Sequence, residues 1–124
     1  MHLPFRATVM KDSSAAARPY RCPDFPSAPV DAVRAELAGA LEHGNAVLSA
    51  PPGAGKSSRV PLWLLEAPWL EGRKILLLEP RRVAARALAR YAARLLGEDV
   101  GQTVGYRMRQ ESAVSAPTRL EIIT

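Results

Sequence analysis

Apolar residues return at three- and four-residue steps through Val30, Val33, Leu37 and Leu41, with Asp31, Arg34 and Glu42 falling between them. That spacing gathers them on one face of a helix, which Gly44 and Asn45 end. Residues 46–50, Ala-Val-Leu-Ser-Ala, are a short continuous apolar run, the pattern of a strand buried on both faces of a parallel sheet. Residues 57–67 read as a second helix, with Val60, Leu62, Trp63 and Leu65 as its apolar surface. Pro61 sits near its first turns, where a missing N–H costs a local kink rather than the helix. Residues 74–78 predict another buried strand, 81–96 a helix stopped by Gly97, and 103–106 and 119–123 two further strands. Strands alternating with helices predict a parallel α/β sheet with right-handed crossovers.

The first 29 residues break this rhythm. Pro4, Pro19, Pro23, Pro26 and Pro29 are mixed with Ser13, Ser14 and a short alanine run, and no period of 2 or 3.6 is present. They read as a flexible arm whose basic residues Arg6, Lys11, Arg18 and Arg21 need have no role. The folded unit is expected over residues 30–124.

Composition narrows the class. The chain has 124 residues, enough for one small core; 48% of them are hydrophobic and 23% charged, ordinary values for a soluble domain. Of 17 basic residues 14 are arginine and the net charge is +5, which suits a polyanionic partner and equally a merely basic surface. The single cysteine, Cys22, excludes a disulfide framework or a thiolate zinc cluster and fits a reducing cytoplasm. No apolar run is long enough to span a bilayer or to act as an export signal, so no membrane role is expected.

The segment Ala50-Pro51-Pro52-Gly53-Ala54-Gly55-Lys56-Ser57 matches a phosphate-binding P-loop with alanine in place of its first glycine. Glycines let the backbone wrap with its N–H groups inward, and the following helix turns its positive dipole end toward the same anion. Lys56 is expected on the β- and γ-phosphates of a nucleoside triphosphate, and the Ser57 hydroxyl on a bridging Mg²⁺. Gly53, Ala54, Gly55, Lys56, Ser57 and Ser58 are therefore the candidate nucleotide-binding residues, with Ser57 the candidate metal ligand.

A second feature is Leu78-Glu79-Pro80-Arg81-Arg82, at the carboxyl end of the strand predicted over 74–78, where open α/β sheets gather ligands. Arg81 and Arg82 at the helix start can meet a sugar-phosphate backbone, whereas the wider stripe through Arg86, Arg90 and Arg94 reads as a solvated face. Val104-Gly105-Tyr106-Arg107-Met108-Arg109 reads as a strand end and a surface turn, and Trp63 and Trp69 as packing residues. His2 and His43 carry no expected function.

These motifs together resemble the DEAH-box helicases. GAGKSSRVPLWLLE resembles the family's P-loop and following helix, in which a proline follows the lysine by five residues, here Lys56 and Pro61. LEPRRVAAR resembles motif Ia, VGYRMR the stretch before motif Ib, and TRLEIIT the strand running into motif Ib. The likeness is greatest to the bacterial HrpB-type branch of ATP-dependent RNA helicases and covers about residues 27–124. It implies part of a first RecA-like, P-loop NTPase lobe, with Lys56 and Ser57 on triphosphate and Mg²⁺, and Arg81 and Arg82 near RNA or another single-stranded nucleic acid.

The sequence departs from that pattern in having no DEAH box among its 124 residues, so no catalytic residue is assigned. Without that carboxylate pair nothing orients an attacking water, and the chain by itself is expected not to turn over ATP. A P-loop strand lacking its usual neighbours is further expected to expose an apolar edge and leave the chain marginally stable. A non-catalytic basic nucleotide- or RNA-binding module is the alternative from another class, and a small P-loop kinase a weaker one. Oligomeric state is not legible.

Overall fold

The computed structural model describes residues 7–11, as a backbone strand, and residues 27–124. In chain order the elements are β1 (Ala7–Lys11), a 3₁₀ turn at Pro29–Val33, α1 (Arg34–His43), α2 (Lys56–Leu64), a 3₁₀ turn at Pro68–Leu70, β2 (Arg73–Leu78), α3 (Arg82–Leu95), β3 (Val104–Met108), β4 (Glu111–Ala113) and β5 (Leu120–Ile123). The strands form one five-stranded sheet in the order β1-β2-β5-β3-β4.

The middle of the sheet is parallel. Leu120 of β5 is opposite Ile75 of β2 on one side and Val104 of β3 on the other, and all three are essentially inaccessible. The run Leu120-Glu121-Ile122 is buried throughout, as expected of a strand enclosed by neighbours on both edges. α3 packs on β3 and β5 through Ala85, Ala89, Ala92 and Ala93, all buried. Small side chains at three- and four-residue steps let its backbone come close to the sheet, and Val60, Leu62, Trp63 and Leu64 of α2 complete the same core. Trp63 and Trp69 are packing residues as expected: Trp63 is 4% exposed and Trp69 Nε1 donates to the Ala38 carbonyl at 3.2 Å.

Four expectations need correction. The sheet is mixed rather than parallel throughout, because β1 pairs antiparallel with β2 and β4 antiparallel with β3 at its two edges. Ala7–Lys11 forms an edge strand, with Val9 opposite Ile75, where a flexible arm was expected; the rest of the expected arm up to residue 26 lies outside the described residues. The helix expected from Val30 starts as the 3₁₀ turn, and only from Arg34 is it α-helical.

The fourth concerns residues 46–50, expected as a buried strand, which have no regular structure and leave Val47 98% exposed. β2 is flanked by β1 and β5, and β3 by β5 and β4, so the parallel core offers this segment no edge. An apolar run without a partner strand forms no ladder of backbone hydrogen bonds and takes no regular strand structure.

Candidate nucleotide and nucleic-acid site

Between residues 50 and 56 the chain turns sharply into α2. Gly53 has φ +82° and Gly55 φ +98°, both in the left-handed region that glycine enters without a Cβ penalty. Gly55 is the N-cap of α2, and no side chain caps the helix. The N–H groups of its first turn, at Lys56, Ser57 and Ser58, have no carbonyl one turn earlier within the helix, so they face outward as donors beside the positive end of the helix dipole. The first intrahelical bond is Arg59 N–H to the Gly55 carbonyl, at 2.8 Å.

The loop is braced from both sides. Inside it, Ala54 N–H donates to the Pro51 carbonyl at 3.2 Å, and Ala54 is buried. Outside it, Val30 N–H donates to the Ala54 carbonyl at 3.1 Å, while the Asp31 carboxylate accepts the Ala28 N–H at 2.8 Å and closes the 3₁₀ turn that carries Val30. A Cβ on Gly55 would lie 3.0 Å from Arg59 Cγ and 3.2 Å from both Ala28 Cβ and Val30 Cγ1. Lys56 Nζ donates to the Ala50 carbonyl at 2.5 Å, which draws the ammonium back across the mouth of the loop. Ser57 is exposed at the helix start and Ser58 half-buried behind it. A cradle of outward N–H donors, a lysine and a hydroxyl is chemically matched to a polyphosphate with an oxygen-preferring divalent cation.

Arg81 and Arg82 open α3. Arg81 is its N-cap, and its own N–H donates to Glu79 Oε1 at 3.3 Å while its Nε lies 3.5 Å from the same oxygen. No acidic residue occupies the first turn of α3, so both guanidinium groups add to its positive end. Arg82 reaches across to the β3–β4 hairpin, where its Nη1 donates to the Arg109 carbonyl at 3.1 Å and its Nη2 lies 3.6 Å from Glu111 Oε2.

Glu111 is the residue that sequence reasoning missed. Arg86 forks onto it, Nε to Oε1 at 3.2 Å and Nη2 to Oε2 at 2.6 Å, and the Tyr106 hydroxyl donates to Oε1 at 2.8 Å. The hydrogen bond from Arg86 and then that from Tyr106 hold the Glu111 carboxyl below its usual range, and Glu111 in turn raises Arg86. Thus Arg86, expected on a solvated face, is half-buried in an ion pair, whereas Arg90 and Arg94 are exposed as expected. The stretch 104–109 is a strand, and the turn expected near its end is Arg109-Gln110, with Gln110 at φ +67°.

No protein-family model matches the chain. It is 56% identical over 99 residues to the ATP-dependent RNA helicase HrpB of Escherichia coli, covering 79% of this chain and 12% of that protein. It is 33% identical over 97 residues to the ATP-dependent RNA helicase HrpA of Borreliella burgdorferi, again 12% of the relative. Two crystal structures of E. coli HrpB, one described as a DEAH/RHA helicase and one as a DExH-box NTPase, superpose with TM-scores of 0.74 at 56% and 52% identity. They cover 79% and 82% of this chain and 12% and 13% of theirs. The chain therefore spans about 12% of the length of the curated relatives it matches.

Proposed function

From a chain that is an HrpB-like DEAH-box helicase segment with a partial RecA-like α/β fold, we propose that it supplies the ATP-phosphate grip of an ATP-dependent RNA helicase. The outward N–H groups of Gly55, Lys56, Ser57 and Ser58 hold the phosphate oxygens, and Lys56 leaves the Ala50 carbonyl for the β- and γ-phosphates. Bound Mg²⁺ would supply charge neutralisation between those phosphates, with the Ser57 hydroxyl as its protein ligand. Arg81 and Arg82 take nucleic-acid backbone, a contact indifferent to base sequence. Grip without turnover is the expected behaviour of these 124 residues.

The observation that carries this reading is the left-handed, uncapped Gly55 start of α2 with Lys56 beside it. Titrating a fluorescent ATP analogue into the chain tests it. Lys56→Ala removes one charge-assisted contact, worth about 1.5–3 kcal/mol or roughly ten- to hundredfold in affinity. Equal affinity in the two proteins would sink the assignment, and steady ATP hydrolysis that vanished in Lys56→Ala would sink the expectation of binding without turnover. Among the described residues no helix is long and apolar enough to cross a membrane.

A further inference from the structure

Arg82 is held as well as placed. Its guanidinium bridges the start of α3 and the β3–β4 hairpin, tethered by the Arg109 carbonyl through Nη1 and facing Glu111 through Nη2, while its side chain remains 51% exposed. Glu111 in turn is fixed from two directions, by the bidentate fork of Arg86 on α3 and by the Tyr106 hydroxyl on β3. The charge of Glu111 is thus already met by Arg86, and what is left for Arg82 is chiefly a direction. An exposed arginine loses rotamer freedom when it engages a phosphate; one tethered beforehand loses less.

We propose that Glu111 is the positioning residue for Arg82, holding its guanidinium against the hairpin so that the remaining N–H donors face a nucleic-acid phosphate. The inference rests on the reading of Arg82 as a backbone contact, and its test separates the two. Binding of a fluorescein-labelled single-stranded oligouridylate to the 124-residue chain is followed by anisotropy over a series of salt concentrations. Glu111→Gln makes the protein more positive, which on Coulombic grounds alone tightens RNA binding. Positioning requires the opposite: affinity falls roughly three- to tenfold, the worth of one lost hydrogen bond. The slope of log affinity against log salt becomes shallower by about 0.7, one phosphate contact on a single strand.

Tyr106→Phe keeps the ring and deletes one tether on Glu111, so it shifts affinity in the same direction by less, and it carries the test if Glu111→Gln does not fold. In an Arg82→Ala background Glu111→Gln has no weakening effect, and affinity for the ATP analogue is unchanged in every variant of Glu111 and Tyr106. Unchanged or tighter RNA binding by Glu111→Gln, with Arg82→Ala weakened, overturns the positioning role and makes Glu111 a competitor of phosphate. Unchanged binding by Arg82→Ala overturns the backbone contact itself.

Discussion

Two glycines two residues apart in the P-loop, Gly53 and Gly55, should respond very differently to the same added methyl group. Gly53 and Gly55 both have positive φ, +82° and +98°, so alanine at either meets the left-handed backbone penalty of about 1–2 kcal/mol. The entropic effect of Gly→Ala on the unfolded chain is common to both and cancels in their comparison. Around Gly53 no atom lies within 4 Å of the new Cβ. At Gly55 the methyl meets Arg59 Cγ at 3.0 Å and Ala28 Cβ and Val30 Cγ1 at 3.2 Å. None of these is the free end of a long side chain: Arg59 is buried, and Val30 is fixed through its N–H to the Ala54 carbonyl. Relief therefore requires moving the 3₁₀ turn off the loop, an overpacking cost of about 1–3 kcal/mol. Gly55→Ala is expected to destabilise by about 2–5 kcal/mol and Gly53→Ala by about 1–2 kcal/mol. Urea denaturation followed by tryptophan fluorescence measures both, and with a slope of about 1–3 kcal/mol/M the midpoints separate by roughly 1 M. Equal midpoints would refute the packing of Ala28 and Val30 on the loop, since the backbone term alone would then account for both.

Three further outcomes follow from single sites. Val47→Ser is expected to change stability by less than about 0.5 kcal/mol, because Val47 is 98% exposed; a loss of a few kcal/mol in the same urea assay would place residues 46–50 back in a sheet. Thr118, fully buried, donates to the Gln102 carbonyl at 2.7 Å and accepts the Ser115 N–H at 2.9 Å, so Thr118→Val strands both and costs about 1–3 kcal/mol by denaturant midpoint. The folded-state pKa of Glu111 lies below its ordinary 4.5, so the unfolded chain binds the proton more readily. Its contribution to stability is complete above that ordinary value and fades as pH falls through the lowered one. The stability difference between the protein and Glu111→Gln, measured by denaturation at a series of pH values, should shrink in that acid range; a difference that grew there would reverse the sign of the linkage.

The legible parts of this fold were those whose signals are local. The apolar runs at Ile75 to Leu77 and Leu120 to Ile122 announce strands, the second buried throughout and the first buried at Ile75 and Leu77. The helix expected over residues 81–96 is α3, Arg82–Leu95, and the motif spacing that resembles DEAH-box helicases is also read along the chain. What was missed depends on pairing across distance. β1 is five residues ahead of a stretch rich in proline and serine, and only its register with β2 makes it a strand. The run 46–50 is the converse case, apolar enough for a strand yet given no edge to join. Glu111 is 25 positions from Arg86, and Arg82 is 27 from the carbonyl of Arg109 that it meets, separations at which spacing carries no information.

The P-loop contains both kinds of constraint within three residues. Gly53 is explained by its backbone angle alone, which the motif already implies. Gly55 answers to that angle and also to Ala28 and Val30, which approach from a segment more than twenty residues earlier in the chain and which no pattern within the loop reveals. The Asp31 carboxylate that closes the 3₁₀ turn on Ala28 N–H, and the Val30 N–H that grips Ala54, thereby extend the phosphate cradle beyond its motif. Its shape is set by residues that would never touch a nucleotide, so variation at Ala28, Val30 and Asp31 should be read through the loop they brace.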